Sequence, residues 1–522
     1  MSRTGTPSDR RGGGVAVCGV PAGATARGHG LVVLAVSVVC SFAFLGRTGF
    51  FAGEGAGVYP GWEMLERDDW VVPRLFGLTD LRSGVLVAWL QGASAWVFGE
   101  SEFVARGVVG AAFVCICVAS FVFGQRWFGR PWGLVAGLAA CVMPVWWWEG
   151  RWADPAVVHA LFVMLAACLM MDRVLGPVRT GLGGVGAVWG LALCVACALL
   201  AAGPAGMPVL MATLVAILVV TRSVLAALWP GTLLMLGAGT LAWATWVMAV
   251  RSALVHESVP ELAAVVLGGA WGPDLQPLLR ALAWAPLLVC LAWAPWGGLA
   301  PGLRRLRWSR GGWASADAVA AALPWVCVLG LAGLWAVGAG SLLPALVLLP
   351  LCVAGVACHR LGMARRVGLP VVRRARAVGV AAFAFLLVAG AALTLLSERS
   401  RESPRGDAER LGEVLVGKRA DHRELWAEGV AADAPEVLRY ACDRAYERGQ
   451  FITARWKFRR AGDPANLPPE GSYLVVKTDE RRRAANRDEW PDFEAAGVSR
   501  WPVVFDGTTH NWRYRVFLSP TP

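Results

Sequence analysis

Long apolar segments alternate with short polar loops over the first three quarters of the chain. A membrane-spanning helix needs roughly 17 to 25 mostly apolar residues, and the apolar segments are close to that length. They are 31–47, 104–124, 131–148, 155–172, 181–202, 206–221, 224–250, 277–298, 315–338, 341–358 and 377–396. This pattern predicts a polytopic α-helical membrane protein with about 11 spans over 31–396.

The two ends of the chain break this pattern. Residues 1–30 are rich in Gly, Ser and Arg, which predicts a disordered, basic cytoplasmic tail. Residues 397–522 are rich in charged residues and have no long apolar run, which predicts an extracytoplasmic α/β domain. Its predicted helices are 407–416 and 434–448, and its predicted strands are 451–457, 472–477, 501–505 and 512–518.

The apolar stretch Val85–Phe98 is too short to span, and it contains Gln91. We interpret it as an interfacial or re-entrant helix within one outward loop, 48–103. Positive charges near helix ends stay on the cytoplasmic side, and with the N-terminus inside nearly all basic clusters fall inside. Counting Val85–Phe98 as a span would move those clusters outside. The prediction is therefore a multi-pass protein of the bacterial cytoplasmic (inner) membrane.

Composition supports a membrane protein and excludes other classes. With 56% hydrophobic and 16% charged residues, the chain is too apolar for a soluble protein of 522 residues. The net charge of +12 reflects basic residues that cluster in the predicted cytoplasmic loops, so no nucleic-acid partner is predicted. The cysteines form neither a disulfide framework nor a zinc-binding pattern. A transporter is disfavoured because the spans contain few charges and no clear internal repeat.

Two outward loops place ionisable residues at the membrane edge. One contains Glu54 and further acids, and the other contains Arg151, Asp154 and, just inside the next span, His159. Such residues are costly in hydrocarbon and are candidates for function. The alternative is an aromatic belt of Trp residues with solvated charges beside it. Because both loops lie on the same face, we expect them to line one cavity.

Several motifs follow one another in a recognisable order between residues 31 and 175. They are Glu54, Glu63-Met64-Leu65, Asp69-Trp70-Val71-Val72-Pro73, Phe98-Gly99, Glu102-Phe103-Val104-Ala105-Arg106 and Asp154-Pro155. This order resembles the N-terminal half of bacterial protein O-mannosyltransferase-like proteins, above all the aminoarabinose transferases that modify lipid A. The resemblance implies a C-type glycosyltransferase fold. It also implies transfer of a sugar from a polyprenyl-phosphate carrier to a protein or glycolipid acceptor on the extracytoplasmic side.

Two positions depart from the family pattern. The family has an Asp-Glu pair where this chain has Gly53-Glu54, and it usually has Glu-Lys-Pro where this chain has Arg82-Ser83-Gly84. The resemblance implies that the remaining acid, Glu54, is the catalytic base or the group that positions the acceptor. The replacement by Arg82 either compensates in charge or marks a protein that has lost activity. A non-catalytic relative that binds the lipid carrier or scaffolds an envelope assembly is therefore the alternative function.

Sugar transfer to a hydroxyl requires a base and cations that hold the leaving phosphate. We predict Glu54 as the base, with Asp154 as alternative base or positioning partner. Arg82, Arg106 and Arg151 are candidates for the phosphate, although Arg106 could equally anchor its helix at the interface. Further substrate-binding candidates are Tyr59, Trp62 and Trp70, for stacking on a sugar, and His159, which could equally be structural.

The resemblance also bears on a metal and on the kind of donor. A divalent metal is possible, since some relatives use one, but the loss of the acid in Glu-Lys-Pro weakens that case. No Gly-rich phosphate loop follows a strand, so a polyprenyl-phosphate sugar is predicted as donor in preference to a nucleotide sugar.

Overall fold

The computed structural model describes the helical region and five strands of the C-terminal region. The described residues are 24–43, 45, 54–75, 78–79, 81, 84–143, 152–175, 181–221, 230–254, 316–336, 341, 343–366, 425–428, 456–459, 473–479, 503–509 and 512–518. Predicted features elsewhere lie outside this part of the chain. They are the tail over 1–23, the spans 277–298 and 377–396, and the helices 407–416 and 434–448.

The helices follow the predicted apolar segments closely. They are α1 (Ala24–Phe42), α2 (Gly55–Arg67), α3 (Val85–Phe98), α4 (Glu102–Phe128), α5 (Arg130–Val142), α6 (Pro155–Leu175), α7 (Gly181–Ala202), α8 (Met207–Thr221), α9 (Pro230–Ala253), α10 (Ala316–Ala336), α11 (Leu343–Leu346) and α12 (Leu349–Arg366). A 3₁₀ turn, Gly203–Gly206, joins α7 to α8. Strands β1 (Arg74–Leu75) and β2 (Leu78–Thr79) form a small antiparallel hairpin between α2 and α3.

Several predicted boundaries are wrong, and local chemistry explains most of them. The predicted tail 1–30 is too long, because α1 already begins at Ala24. The predicted span 131–148 ends early, at Val142: Met143 is extended because it precedes Pro144, and a residue before proline avoids the helical region. The predicted span 341–358 is divided into α11 and α12, with Pro350 near the start of the second helix.

The helical region contains stretches that can cross a bilayer. Among the described residues, Glu102–Phe128, Pro155–Leu175 and Trp189–Val220 are long and apolar enough to do so. At 1.5 Å per residue, a helix of 21 residues is about 31 Å long, which matches the hydrocarbon core. Large apolar side chains such as Leu31, Trp189 and Leu193 are exposed, as expected of side chains that face lipid. The chain is therefore a multi-pass α-helical membrane protein.

Helix α4 is central to the packing of the N-terminal half. It contacts α1, α5 and α6, and α3 lies against its first turns. Helices α2 and α3 form a hairpin and approach each other closely at Gly61 and Gly92. A Cβ built on Gly61 would lie 2.4 Å from the Ala88 carbonyl oxygen, so only glycine fits there. The hairpin thus occupies the predicted outward loop as two short, packed helices.

The C-terminal region contains a mixed five-stranded sheet. Its strands are β3 (Leu425–Glu428), β4 (Trp456–Arg459), β5 (Tyr473–Asp479), β6 (Val503–Thr509) and β7 (Trp512–Leu518), in the order β4-β3-β5-β7-β6. Strand β3 pairs in parallel with β4 and β5, whereas β7 pairs antiparallel with β5 and β6. Sequence patterning predicted β5, β6 and β7 and missed β3. The predicted strand 451–457 overlaps β4 only at its last two residues, and 451–455 lie outside the described residues.

Candidate active site

A buried ion pair joins the first outward loop to α4. Glu54 immediately precedes α2, and Arg106 lies in the second turn of α4. The guanidinium donates two hydrogen bonds to the carboxylate, from Nε to Oε1 at 3.0 Å and from Nη2 to Oε2 at 2.6 Å. Both side chains are only 2% exposed. This bidentate geometry fixes both the distance and the orientation of the two segments.

Two backbone groups extend this pair into a junction of four segments. Arg106 Nη1 donates to the carbonyl oxygen of Leu45, after α1, at 3.0 Å. The amide of Ala153, before α6, donates to Glu54 Oε1 at 3.0 Å. We call Leu45, Glu54, Arg106 and Ala153 the outer junction. It holds the ends of α1, α2, α4 and α6 together, because each hydrogen bond replaces solvation that a buried charge has lost.

Gln91 reinforces the outer junction from α3. Its side chain is fully buried, and Nε2 donates to the carbonyl oxygen of Ala105 at 3.0 Å, one residue before Arg106. Gln91, whose polarity argued against α3 as a membrane span, therefore connects α3 to α4.

Asp154 stands directly beside the outer junction, where it caps α6. Its Oδ1 accepts the Ala156 amide at 2.8 Å, and Pro155 occupies the first helical position, which favours proline. Among the described residues, Oδ2 makes no hydrogen bond. Burial raises the pKa of Asp154, the Ala156 amide lowers it, and the nearby charge of Glu54 raises it, with a net upward shift. A carboxylate with a raised pKa is a better proton acceptor than an ordinary one.

The structure gives the two predicted catalytic acids different surroundings. Both oxygens of Glu54 are engaged by Arg106 and Ala153, which suits a residue that positions its neighbours. Asp154 is partly exposed and follows Ala153 directly in the chain, so the two acids are brought together. The arginine predicted to bind phosphate, Arg106, directs its guanidinium at Glu54 and Leu45.

The predicted aromatic residues lie along α2 and just after it. Tyr59 and Trp62 are buried, with ring centroids 5.5 Å apart. Trp70 follows α2, and its ring packs against Gly92 of α3. In this structure all three contribute to packing within the outer loop. Stacking on a sugar by these rings stays a prediction.

The remaining predicted site residues are less informative. His159 is buried one turn into α6, and its Nε2 lies against Gly206 in the 3₁₀ turn. Arg82 and Arg151 lie outside the described residues. Within the described part of the chain, no group of three or more His, Cys, Asp or Glu side chains could hold a metal ion.

Sequence comparisons give short matches to one kind of enzyme. No model of a protein family matches the chain. A segment of 100 residues is 32% identical to the undecaprenyl phosphate-alpha-4-amino-4-deoxy-L-arabinose arabinosyl transferase of Yersinia enterocolitica and covers 18% of each chain. A segment of 144 residues is 31% identical to a second such transferase, from Sodalis glossinidius, and covers 26% of this chain and 24% of the relative. The matched segments thus span at most about a quarter of these relatives.

Structural comparison extends the similarity over nearly the whole chain. ArnT from Cupriavidus metallidurans in the apo state superposes with a TM-score of 0.64 at 18% identity, covering 95% of this chain and 98% of ArnT. The chain has the C-type glycosyltransferase fold. The same ArnT bound to undecaprenyl phosphate gives a TM-score of 0.61. The predicted resemblance to polyprenyl-phosphate-sugar glycosyltransferases is confirmed.

Three members of the junction and its support were not predicted. The Leu45 carbonyl and the Ala153 amide are backbone groups, and side-chain patterns carry no signal for them. Gln91 had a signal, since a buried amide in an apolar helix must find a partner. The pairing of Glu54 with Arg106 also had one, because a lone arginine in the first turns of a long apolar helix needs an opposite charge.

Proposed function

We propose that this protein is a membrane glycosyltransferase. It would move a sugar from a polyprenyl-phosphate carrier to a protein, lipid or glycan acceptor on the extracytoplasmic side of the bacterial inner membrane. The observation that carries the proposal is the Asp154 carboxyl, with its raised pKa, set directly beside the buried Glu54–Arg106 pair. The fold supports it, because ArnT, which has the same fold, is known in complex with undecaprenyl phosphate.

In the proposed reaction, an acceptor hydroxyl attacks the anomeric carbon of the sugar. The new bond joins the acceptor oxygen to that carbon, and the bond between the carbon and the phosphate oxygen breaks. Asp154 accepts the hydroxyl proton, and polyprenyl phosphate leaves with the bonding electrons. If the acceptor is a phosphate that is already ionised, as in lipid A modification, no proton has to be removed and Asp154 would orient the acceptor.

The other predicted residues take supporting roles in this proposal. Glu54 positions Asp154 through the Ala153 amide, and Arg106 holds Glu54 in place. Arg82 and Arg151 remain the proposed cations for the leaving phosphate. Binding of the phosphate by Arg106 would require its guanidinium to leave Glu54, so we assign Arg106 to positioning.

A second candidate function is binding of the lipid carrier without catalysis, for example as an envelope scaffold. It is favoured by one observation: both oxygens of Glu54, the acid retained from the family's Asp-Glu pair, are engaged in the ion pair. If Asp154 serves only to cap α6, no base remains among these two acids.

Purified protein incubated with radiolabelled sugars on undecaprenyl phosphate separates these functions. The donors include aminoarabinose, mannose and arabinose forms, with lipid A, peptide and glycan acceptors. The proposal predicts label on an acceptor and release of undecaprenyl phosphate. Retained binding of undecaprenyl phosphate without transfer from any donor would favour the non-catalytic function. If the protein shows no transfer and no binding of undecaprenyl phosphate, both functions are overturned.

A further inference from the structure

The motif Asp69-Trp70-Val71-Val72-Pro73, which follows α2, has a structural role that the proposed reaction does not explain. Asp69 Oδ1 accepts the amides of Val71 and Val72 at 3.1 and 3.3 Å. Asp68, just before it, has a φ of 53°, a left-handed conformation that turns the chain away from α2. Asp69 thus satisfies these two backbone amides, and the backbone carbonyl groups of the same turn remain available as acceptors.

Two indole groups from different helices bind those carbonyl groups. Trp89 of α3 donates its Nε1 hydrogen to the carbonyl oxygen of Trp70 at 2.6 Å. Trp246 of α9 donates its Nε1 hydrogen to the carbonyl oxygen of Val71 at 3.1 Å, across 175 positions of sequence. Trp246 is buried in one apolar cluster with Val72. The motif is therefore docked by both hydrogen bonds and apolar packing.

A second close contact lies just before α3, at Gly84. Gly84, just before α3, has a φ of 70°, which proline cannot adopt and other residues rarely do. A Cβ on Gly84 would lie 2.0 Å from the carbonyl oxygen of Ala201, at the end of α7. The glycine that replaces the family's proline thus allows close contact with α7. The described residues 69–75 are held by α3 and α9, and we call them the docked segment.

We propose that Trp246 is a positioning residue that fixes the docked segment against α9. The inference rests on the proposed function, in which Arg82, which follows the docked segment in the sequence, binds the phosphate of the donor. Loss of the Trp246 hydrogen bond would let the segment shift. Donor binding would then weaken while the proton transfer at Asp154 is little changed.

Trp246→Phe tests the proposal, because it removes the N–H and keeps an aromatic ring. Trp243→Phe is a matched control: it lies one turn earlier on α9, and its buried Nε1 has no hydrogen-bond partner among the described residues. A single hydrogen bond corresponds to about a 2- to 10-fold effect. We expect KM for the undecaprenyl-phosphate-linked sugar to rise about that much in Trp246→Phe, with kcat within about twofold. Trp243→Phe should match the wild type.

Hydrogen exchange of the peptide covering residues 68–75 provides a readout that needs no activity. Val71 and Val72 amides should exchange faster in Trp246→Phe than in Trp243→Phe, and Trp89→Phe should have a similar effect. Equal exchange in Trp246→Phe and Trp243→Phe would overturn the proposal. If the wild type transfers no sugar but the exchange result holds, docking stands and the proposed function fails. Faster exchange with an unchanged KM would refute the link to donor binding.

Discussion

Helix α4 carries an arginine–carboxylate pair at each end, and the two pairs differ in their surroundings. At its N-terminal end, the predicted outer end, Arg106 and Glu54 are each 2% exposed and connect to two further segments, through Leu45 and Ala153. At its C-terminal end, the predicted inner end, Arg126 Nε lies 2.6 Å from Asp172 Oδ1, but the arginine is 42% exposed. The chemical groups are the same, so the difference shows how burial turns an ion pair from a surface contact into a structural requirement.

The inner pair also has a simpler hydrogen-bonding network. Asp172 Oδ1 accepts the Trp127 indole at 3.0 Å as well as Arg126, so it links the last turn of α4 to the last turn of α6. Water can solvate either charge if its partner is lost. At the outer end water is excluded, and a lost partner leaves a charge without compensation. Among the described residues, only the outer end has a second acid with a perturbed pKa, Asp154.

The largest effect on stability is expected from Glu54→Leu. It leaves the Arg106 guanidinium buried without its counter-charge, which costs about 3–5 kcal/mol. The free energy of unfolding in mixed detergent micelles measures this loss. The double variant Glu54→Leu with Arg106→Met should recover part of it, because neither charge then remains buried. A loss in Glu54→Leu as small as that in an inner-pair variant would show that the outer junction is not a structural requirement.

The pH dependence of transfer should reflect the link between the two acids. Asp154 acts as base only when deprotonated, so transfer to a hydroxyl falls as pH drops through its pKa, which lies above the ordinary aspartate value. Glu54→Gln removes one cause of that raised pKa, the neighbouring negative charge. The acidic limb of the pH–rate profile should therefore move to lower pH, while burial keeps part of the shift. An acidic limb that stays in place would show that the charge of Glu54 does not affect the pKa of Asp154.

The smallest effect is expected at the inner end of α4. Asp172→Asn removes the charge facing Arg126 but keeps an oxygen that can accept the Trp127 indole. Exposed pairs contribute about 0–1 kcal/mol, so unfolding should shift by no more than that. The same unfolding titration provides the measurement. A loss approaching that of Glu54→Leu would mean that burial does not distinguish the two pairs.

The sequence predicted the helices well because a helix that crosses a bilayer must satisfy its own backbone and present apolar side chains to lipid. Both demands are local, and α4, α6 and α7 accordingly lie close to their predicted bounds. The short helix α3 was also recognised as distinct from a span. Predicted helix ends were wrong where a single residue sets the backbone conformation, as at Met143, which precedes Pro144.

The arrangement of the candidate site was less predictable. Glu54 and Arg106 were both identified as site residues, but 52 positions separate them, and their pairing depends on how α2 and α4 pack. Glu54 was expected as the catalytic base in an outward loop, and its near-complete burial follows from tertiary structure alone. The placement of Asp154 beside Glu54 depends on the Ala153 amide, a group that every non-proline residue carries. The sequence thus pointed to both acids, and their different hydrogen bonds are the basis of the different roles that we propose for them.

The most direct test of this account compares initial rates of sugar transfer by Asp154→Asn and Asp172→Asn with that of the wild type. All three are assayed with the same undecaprenyl-phosphate-linked donor and a hydroxyl acceptor. Loss of a general base lowers rates by about 100- to 10,000-fold. The account predicts a loss of that size for Asp154→Asn and a nearly wild-type rate for Asp172→Asn. A fully folded Asp154→Asn variant that retains the wild-type rate would contradict it.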